Sequence, residues 1–300
     1  MKIDAFIIGS QKSGTTSLLR SLAKHPDVST HQQPEMTYFS EDWEFGQGEG
    51  YASKKYFPDI SEEAFTLAKY AHGMYISTTV DRALESNPEM KFIIVLREPV
   101  ARAVSAFNYA RQLGAEGSTD INHAMFSNES LVGEDPNRSY IRLGEYDAYL
   151  EQLFTKLNRN QLNVVFLEDL KTNWMKSSAE LQQFLGLKHV ELGLISENAG
   201  ATARSVRFAR MWYAFNRNNM LKKLIRPLIP VKFRHALRKT VDQLNTTTSK
   251  ERIAASEDLI TKLKEHYASH NERLKQILER PLPPTWSDFP QDSAEKDSKL

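Results

Sequence analysis

The segment GSQKSGTT, residues 9–16, has the residue types of a loop that binds an anionic ligand. It follows the apolar run 5–8 and precedes a helix-like pattern, which is the setting of a phosphate-binding loop. Gly9 and Gly14 allow positive φ values and a close approach of the backbone, so that N–H groups can point at the ligand. Lys12 lies within the loop, and its ammonium group can reach the far side of a bound phosphate. The pattern therefore predicts a phosphate site after the first strand.

The position of the lysine separates this loop from that of the nucleoside triphosphatases. In their motif the lysine follows the second glycine directly, whereas here Thr15 follows Gly14 and the lysine stands at position 12. Those enzymes also hold magnesium with an acidic residue at the end of a neighbouring strand, but the apolar run 91–96 ends in Arg97. The pattern favours a ligand that protein side chains neutralise without a metal. A nucleotide or small-molecule kinase with a variant loop is the alternative.

A second set of polar residues follows the apolar run 91–96. Arg97 leaves what we expect to be the carboxyl edge of a strand, where open α/β sheets bind ligands. Ser105 is eight residues later, about two turns into a helix that Pro99 begins. A guanidinium and a hydroxyl can thus meet one phosphate. Arg102 can share the helix face of Ser105, or it can form a surface ion pair with the glutamate four residues before it.

The two sites together suit a nucleotide that carries phosphates at both ends of its ribose. The segments IIGSQKSGTTSLLRSLAKHPDV and FIIVLREPVARAVSAF resemble those of the sulfotransferases that use 3′-phosphoadenosine 5′-phosphosulfate (PAPS). Weaker resemblance continues in GEYDAYLEQL, LNVVFLEDL, LQQFLGL and HNERLKQILERPL. The resemblance implies a parallel sheet related to that of nucleotide kinases, with PAPS as the cosubstrate and 3′,5′-adenosine bisphosphate (PAP) as the product.

The resemblance also implies roles for individual residues. It implies that the 5′-phosphosulfate is held by Lys12, Ser13, Gly14, Thr15 and Thr16. It implies that Arg97 and Ser105 hold the 3′-phosphate, and Arg204 matches the place where the family closes a basic loop over that phosphate. A sulfuryl group carries less charge than a terminal phosphoryl group. Lys12 would therefore take the place of magnesium at the bridging oxygen and stabilise the leaving phosphate, and no metal is expected.

Transfer to a hydroxyl requires a base, and Glu35 is the first candidate. Its segment, PEMTYFS, resembles the KE-x-x-FF segment of glycan and bacterial sulfotransferases, in which the glutamate is the base, although Pro34 replaces the lysine. His31 is the second candidate. The other histidines considered are His25, which we expect to be structural, His72 and His123.

Alternating strand and helix patterns predict an α/β fold, a three-layer α/β/α arrangement with a central, mostly parallel sheet. The predicted strands are 3–8, 91–96 and 162–167, and the predicted helices are 17–24, 99–112, 145–157, 174–185 and 256–278. We expect one domain over residues 1–288 and a polar, disordered tail over 289–300. Residues 31–60 are expected to be rich in loops, and 113–139 to form a long loop or lid. Together with 205–250, these segments are expected to build the acceptor pocket.

The net charge of +1 conceals a basic segment. Residues 204–239 contain seven Arg and four Lys and no acidic residue, which leaves 28 basic and 38 acidic residues elsewhere. The segment could contact an anionic membrane surface near a lipid acceptor, attract an acidic glycan, or cover the cofactor side of the fold. Nucleic-acid binding is not expected, because no recognised module accompanies the charge.

The composition restricts the class of protein further. The chain has no cysteine, which excludes disulfides, thiolate metal sites and cysteine nucleophiles. No apolar run is long enough to span a membrane, and the N-terminal segment lacks the apolar core of a signal peptide. We therefore expect a cytoplasmic sulfotransferase that acts on a hydroxyl or amine of a glycan, lipid or small molecule. Besides the kinase, a catalytically idle nucleotide- or glycan-binding protein is the other alternative.

Overall fold

The computed structural model describes residues 2–61, 64–127, 130, 135–195 and 252–286, with a short strand pair at 202–203 and 246–247. The chain divides into two compact units. The first contains Met1–Arg102, Glu145–Glu197 and His266–Leu300, and the second contains Ala103–Gly144 and Asn198–Glu265. The expected tail 289–300 and the basic segment 204–239 lie outside the described residues. The prediction of a single domain over 1–288 stays a prediction.

A five-stranded parallel sheet forms the centre of the first unit. Its strands are β1 (Ala5–Gly9), β2 (Val28–Thr30), β3 (Phe65–Lys69), β4 (Lys91–Leu96) and β5 (Leu162–Phe166). They lie in the order β2-β3-β1-β4-β5, and every pair is parallel. Parallel strands need crossover connections, which the intervening helices provide. A separate antiparallel pair, β6 (Thr202–Ala203) and β7 (Thr246–Thr247), belongs to the second unit.

Alternate residues of the central strands enter two separate apolar cores. On β4, Phe92, Ile94 and Leu96 join one core, whereas Ile93 and Val95 join the other. Because successive side chains of a strand point to opposite faces, the sheet is covered on both sides. The predicted α/β class with layers on both faces of a parallel sheet is confirmed.

The helices of the described chain begin and end at the following residues: α1 Thr15–Leu22, α2 Asp42–Phe45, α3 Glu49–Tyr56, α4 Ser77–Ser86, α5 Pro99–Leu113, α6 Ile121–Met125, α7 Tyr146–Phe154, α8 Leu167–Thr172, α9 Trp174–Leu185 and α10 Glu257–Leu278. Short 3₁₀ turns occur at Gly73–Tyr75, Arg142–Gly144 and Pro284–Trp286. No helix in these described parts of the chain is both long enough and apolar enough to cross a bilayer.

Several predicted elements agree with the structure, and others differ. The strand 91–96 and the helix 174–185 have the predicted bounds, and Gly186 ends the helix with φ 78°. Residues 31–60, expected to be rich in loops, also contain α2 and α3. The loop expected over 113–139 contains α6, whose first turn Asp120 caps by accepting the N–H of His123 at 3.1 Å.

Candidate active site at the carboxyl edge of the sheet

The loop after β1 is held against the end of β4 by Ser10. The backbone N–H of Ser10 donates to the Val95 carbonyl at 2.8 Å, and its hydroxyl donates to the same oxygen at 3.0 Å. The hydroxyls of Ser10 and Ser13 lie 2.5 Å apart. These buried contacts fix the loop at the carboxyl edge of the sheet, where ligands of open α/β folds bind.

Gly14 gives the loop its turn into α1. It caps the helix with φ 83°, a left-handed conformation that other residues adopt at a cost. A Cβ at this position would lie 2.8 Å from Leu167 Cδ1, so the space beside it is already filled. Lys12 also has a positive φ, 68°. The first N–H groups of α1 have no intrahelical acceptor and make this end of the helix suited to an anion.

Arg97 joins the second motif to the first. Its Nη1 donates to the backbone carbonyl of Lys12 at 3.3 Å, and its side chain is half-buried. The structure thus brings together the arginine and the lysine loop that the sequence placed at two phosphate sites. Ser105 is half-buried on the second turn of α5, in the second unit, and Arg204 lies outside the described residues. Their part in a phosphate site stays a prediction.

The surface ion pair between Glu98 and Arg102 was a wrong interpretation, because both residues are buried. The Glu98 carboxylate instead accepts the N–H groups of Val100 and Ala101, at 3.0 and 2.6 Å, and so caps the start of α5. Burial raises the pKa of Glu98, although these two backbone bonds oppose the change.

Arg102 lies behind the loop among three tyrosines. Burial opposes its positive charge, but Tyr146, Tyr267 and Tyr75 raise its pKa. Burial also raises the pKa of each tyrosine, so the hydroxyls stay protonated and can donate. The Tyr146 hydroxyl donates to the Arg97 carbonyl at 2.9 Å. Sequence reasoning missed this tyrosine cluster (Tyr75, Tyr146 and Tyr267), since its members come from three distant segments.

Glu35 is held by two contacts at the end of β3. Its Oε1 lies 2.5 Å from Lys69 Nζ, and its Oε2 accepts the N–H of Ala71 at 3.1 Å. The Lys69 side chain is 1% exposed, whereas that of Glu35 is 36% exposed. Since β3 lies beside β1, with Lys69 opposite Ile7, this carboxylate lies at the same sheet edge as the phosphate loop. No sequence motif indicated Lys69, which lies at the end of a short strand.

His31 uses both ring nitrogens within the fold. Its Nδ1 donates to the Gln33 carbonyl at 2.6 Å, and its Nε2 accepts the N–H of Lys69 at 3.0 Å. Burial lowers its pKa to about 4, while the bond to Gln33 opposes that change. A ring with no accessible lone pair cannot take a proton from an acceptor, so the geometry gives His31 a positioning role.

The other three histidines that the sequence offered, His25, His72 and His123, show no arrangement of a catalytic base. His25 is buried, with Nε2 2.8 Å from the Lys188 carbonyl and Nδ1 accepting the N–H of Asp27 at 3.1 Å. This agrees with the expected structural role. His72 packs between the rings of Tyr70 and Tyr75, and His123 is exposed on α6 in the second unit.

Most aromatic residues of segment 38–57 belong to the core. Tyr38, Phe39, Tyr56 and Phe57 are buried, whereas Trp43 is 57% exposed. These four rings therefore pack in the core and do not line a pocket for the acceptor substrate.

Comparison with known proteins agrees with the geometry of the site. Residues 2–223 match the family described as "Sulfotransferase domain", and the chain belongs to that family. The match confirms the resemblance that the two phosphate motifs indicated.

The relatives include enzymes of heparan sulfate modification. The chain is 30% identical over 190 residues to heparan sulfate glucosamine 3-O-sulfotransferase 5 of Homo sapiens, a match covering 61% of this chain and 53% of that protein. It is 27% identical over 195 residues to the bifunctional heparan sulfate N-deacetylase/N-sulfotransferase 2 of Bos taurus, covering 60% of this chain and 22% of that protein. The chain thus spans about half the length, or less, of these curated relatives.

A solved structure shares the fold. The sulfotransferase of Alicyclobacillus acidocaldarius superposes with a TM-score of 0.67 at 19% identity, over 96% of this chain and 100% of that one.

Proposed function

We propose that the protein is a PAPS-dependent sulfotransferase that transfers a sulfuryl group to a hydroxyl or amine of a glycan. The observation that carries the proposal is the bond from Arg97 to the carbonyl of Lys12, 3.3 Å long. It joins the two phosphate motifs at one edge of the sheet, as a nucleotide with phosphates on both sides of its ribose requires. Membership of the sulfotransferase family supports the same conclusion.

The donors at the loop fit the cosubstrate. Gly14, with its positive φ, turns the chain into α1, whose first N–H groups can bind an anion, and the side chains of Lys12, Ser13, Thr15 and Thr16 supply a cation and hydroxyls. Arg97, with Ser105 and Arg204, would hold the 3′-phosphate. PAPS supplies an activated sulfuryl group when it is bound. No metal is proposed in this step, because Lys12 can stabilise the charge that develops on the leaving phosphate.

Glu35 is proposed as the general base. Its carboxylate is partly exposed, and the contacts to Lys69 and Ala71 fix its orientation. As the acceptor oxygen or nitrogen forms its bond to sulfur, the bond from sulfur to the nucleotide oxygen breaks, and the acceptor proton moves to Glu35.

A glycan is the proposed acceptor because the curated relatives are named for heparan sulfate. A lipid or small-molecule acceptor would be a different outcome of the same assay. A cytoplasmic location and peripheral membrane contact through residues 204–239 remain proposals from the sequence.

Thermal unfolding with ligands tests the two-phosphate site. PAP should raise the melting temperature more than ADP or ATP with magnesium does, and saturation at a hundredfold excess over Kd is worth about 2.7 kcal/mol. Replacing Arg97 by Ala should lower PAP affinity roughly 10- to 100-fold, since a bond from a charged group contributes about 1.5–3 kcal/mol. Arg20→Ala, at an exposed arginine of α1, is the matched control. Stabilisation by ATP with magnesium alone would refute the proposal and favour the kinase.

A pair of variants tests the base. Glu35→Gln should reduce turnover at least 100-fold while PAP still binds, because the amide keeps an oxygen for Lys69 but cannot accept the proton. Lys69→Met removes the partner and keeps the carboxylate, so it should retain far more activity than Glu35→Gln. Sulfuryl transfer from PAPS to desulfated heparan sulfate is the readout. If Glu35→Gln and the wild type were equally active, the base would be a different residue. If both were inactive, the result would favour a binding protein instead of an enzyme.

A further inference from the structure

Three potential metal ligands come together in the first unit, within the described part of the chain. They are Glu145, His266 and His270, and their ligand atoms all lie within 4.8 Å of one another. The two histidines are four residues apart on α10, so they share one face of the helix. Their side chains are 29% and 28% exposed, which leaves a path for an ion from solvent.

The carboxylate of Glu145 points at the histidines. Glu145 stands at the N-cap of α7, yet its side chain makes no capping bond to that helix. Its Oε1 instead lies 3.0 Å from Nε2 of His266. A carboxylate oxygen and an imidazole nitrogen at this separation are close to the spacing of about 3.3 Å that tetrahedral zinc imposes on neighbouring ligands.

A second carboxylate orients His270. Asp147 Oδ1 lies 2.8 Å from Nδ1 of His270, and the Asp147 side chain is only 7% exposed. A carboxylate that accepts from one ring nitrogen directs the lone pair of the other nitrogen outward, as in the carboxylate–histidine–zinc arrangement of metal proteins. With Nδ1 donating to Asp147, Nε2 of His270 carries the lone pair and is the nitrogen that would bind an ion.

From this arrangement we infer that Glu145, His266 and His270 bind a divalent transition-metal ion, with zinc as the best match, and that Asp147 positions His270. Two imidazoles and one carboxylate are ligands that zinc commonly takes, with a water in the fourth position. Two carboxylates, Glu145 and Asp147, beside two imidazoles also favour a divalent cation electrostatically.

The ion would tie α7 to α10 next to the tyrosine cluster. Glu145 directly precedes Tyr146, whose hydroxyl holds the Arg97 carbonyl, and His266 directly precedes Tyr267. The inferred role is therefore structural: the ion stabilises the helices behind the phosphate site and takes no part in sulfuryl transfer.

Titration of chelator-treated protein with Co²⁺ tests the site directly. The wild type should bind saturably and develop the visible absorption of four-coordinate cobalt, which Zn²⁺ should then abolish. Zn²⁺ alone should raise the melting temperature by a few degrees, by mass action on the folded state. His266→Gln and His270→Gln should lose both signals, whereas His123→Gln, at an exposed histidine of α6, should keep them.

Asp147→Asn gives a further readout that keeps all three ligands. Loss of such a partner typically weakens metal affinity about 10- to 100-fold, and we expect that decrease here. This variant decides the question if a histidine variant does not fold. Absence of saturable binding, or binding that none of these three substitutions weakens, would overturn the inference.

Discussion

Replacement of His31 by Gln should remove a specific part of the acid sensitivity of the fold. Burial lowers the pKa of His31 from its ordinary value of 6.5 to about 4. Between these values the unfolded chain binds a proton that the folded chain does not, so the free energy of unfolding falls as the pH falls. The contribution of His31 to the free energy of unfolding is fully present at pH values above the pKa of its ring in the unfolded chain. It is lost on acidification from about pH 6.5 towards pH 4.

The size of the effect follows from the two pKa values. At pH 5 the linkage relation gives a loss of about 2 kcal/mol relative to pH 7 from this residue alone. Urea unfolding at pH 7 and pH 5 gives the fall in the free energy of unfolding for each protein. The contribution of His31 is the fall in the wild type minus the fall in His31→Gln. That difference should be about 2 kcal/mol, whereas His123→Gln should lose as much as the wild type because its ring is exposed.

The same variant also separates the two candidate bases. Gln can accept the N–H of Lys69 in place of Nε2, so the strand end that bears Glu35 should keep its position. Turnover at pH 7 should therefore remain within about tenfold of the wild type, a loss of at most ~1.4 kcal/mol in the barrier. Equal acid sensitivity of His31→Gln and the wild type would show that His31 is not the buried neutral group described here. Loss of turnover with PAP binding intact would restore it as the base.

Two further substitutions test how the loop is supported. Gly14→Ala should cost about 1–2 kcal/mol of strain from the left-handed φ, and more from contact with Leu167, and it should weaken PAP binding. Gly193→Ala, where a Cβ meets nothing within 4 Å, is its control in urea unfolding and should change stability little. Tyr146→Phe should lower the free energy of unfolding by about 1 kcal/mol through loss of the bond to the Arg97 carbonyl, and PAP titration should show a matching loss of affinity. Unchanged stability and PAP affinity in Gly14→Ala or Tyr146→Phe would contradict these contacts.

The sequence predicted those parts of the fold that depend on local pattern. The strand 91–96 is a continuous apolar run, and the helix that Gly186 ends has both a periodic face and a left-handed stop. β2 was missed because it has three residues, and β3 because its residues FTLAK end in a lysine and resemble neither a continuous nor an alternating strand. Lys69 can be buried there only because Glu35, far away in sequence, supplies the counter-charge.

The candidate site follows the same division. The glycines, Lys12 and Arg97 could be predicted as site residues because they lie at or shortly after the ends of β1 and β4. Parallel strands bring their carboxyl ends to one edge of the sheet. The tyrosine cluster beside Arg102 could not be predicted, because no local sequence pattern indicates that these three tyrosines lie close to that arginine. A buried guanidinium needs polar partners, and protonated tyrosine hydroxyls provide them without the negative charge of a carboxylate. An acidic partner at that place would repel the phosphates proposed to bind beside Lys12 and Arg97. Tyrosines can therefore lie against the buried arginine, which donates a hydrogen bond to Tyr267, while the edge of the sheet stays electrostatically favourable to an anionic nucleotide.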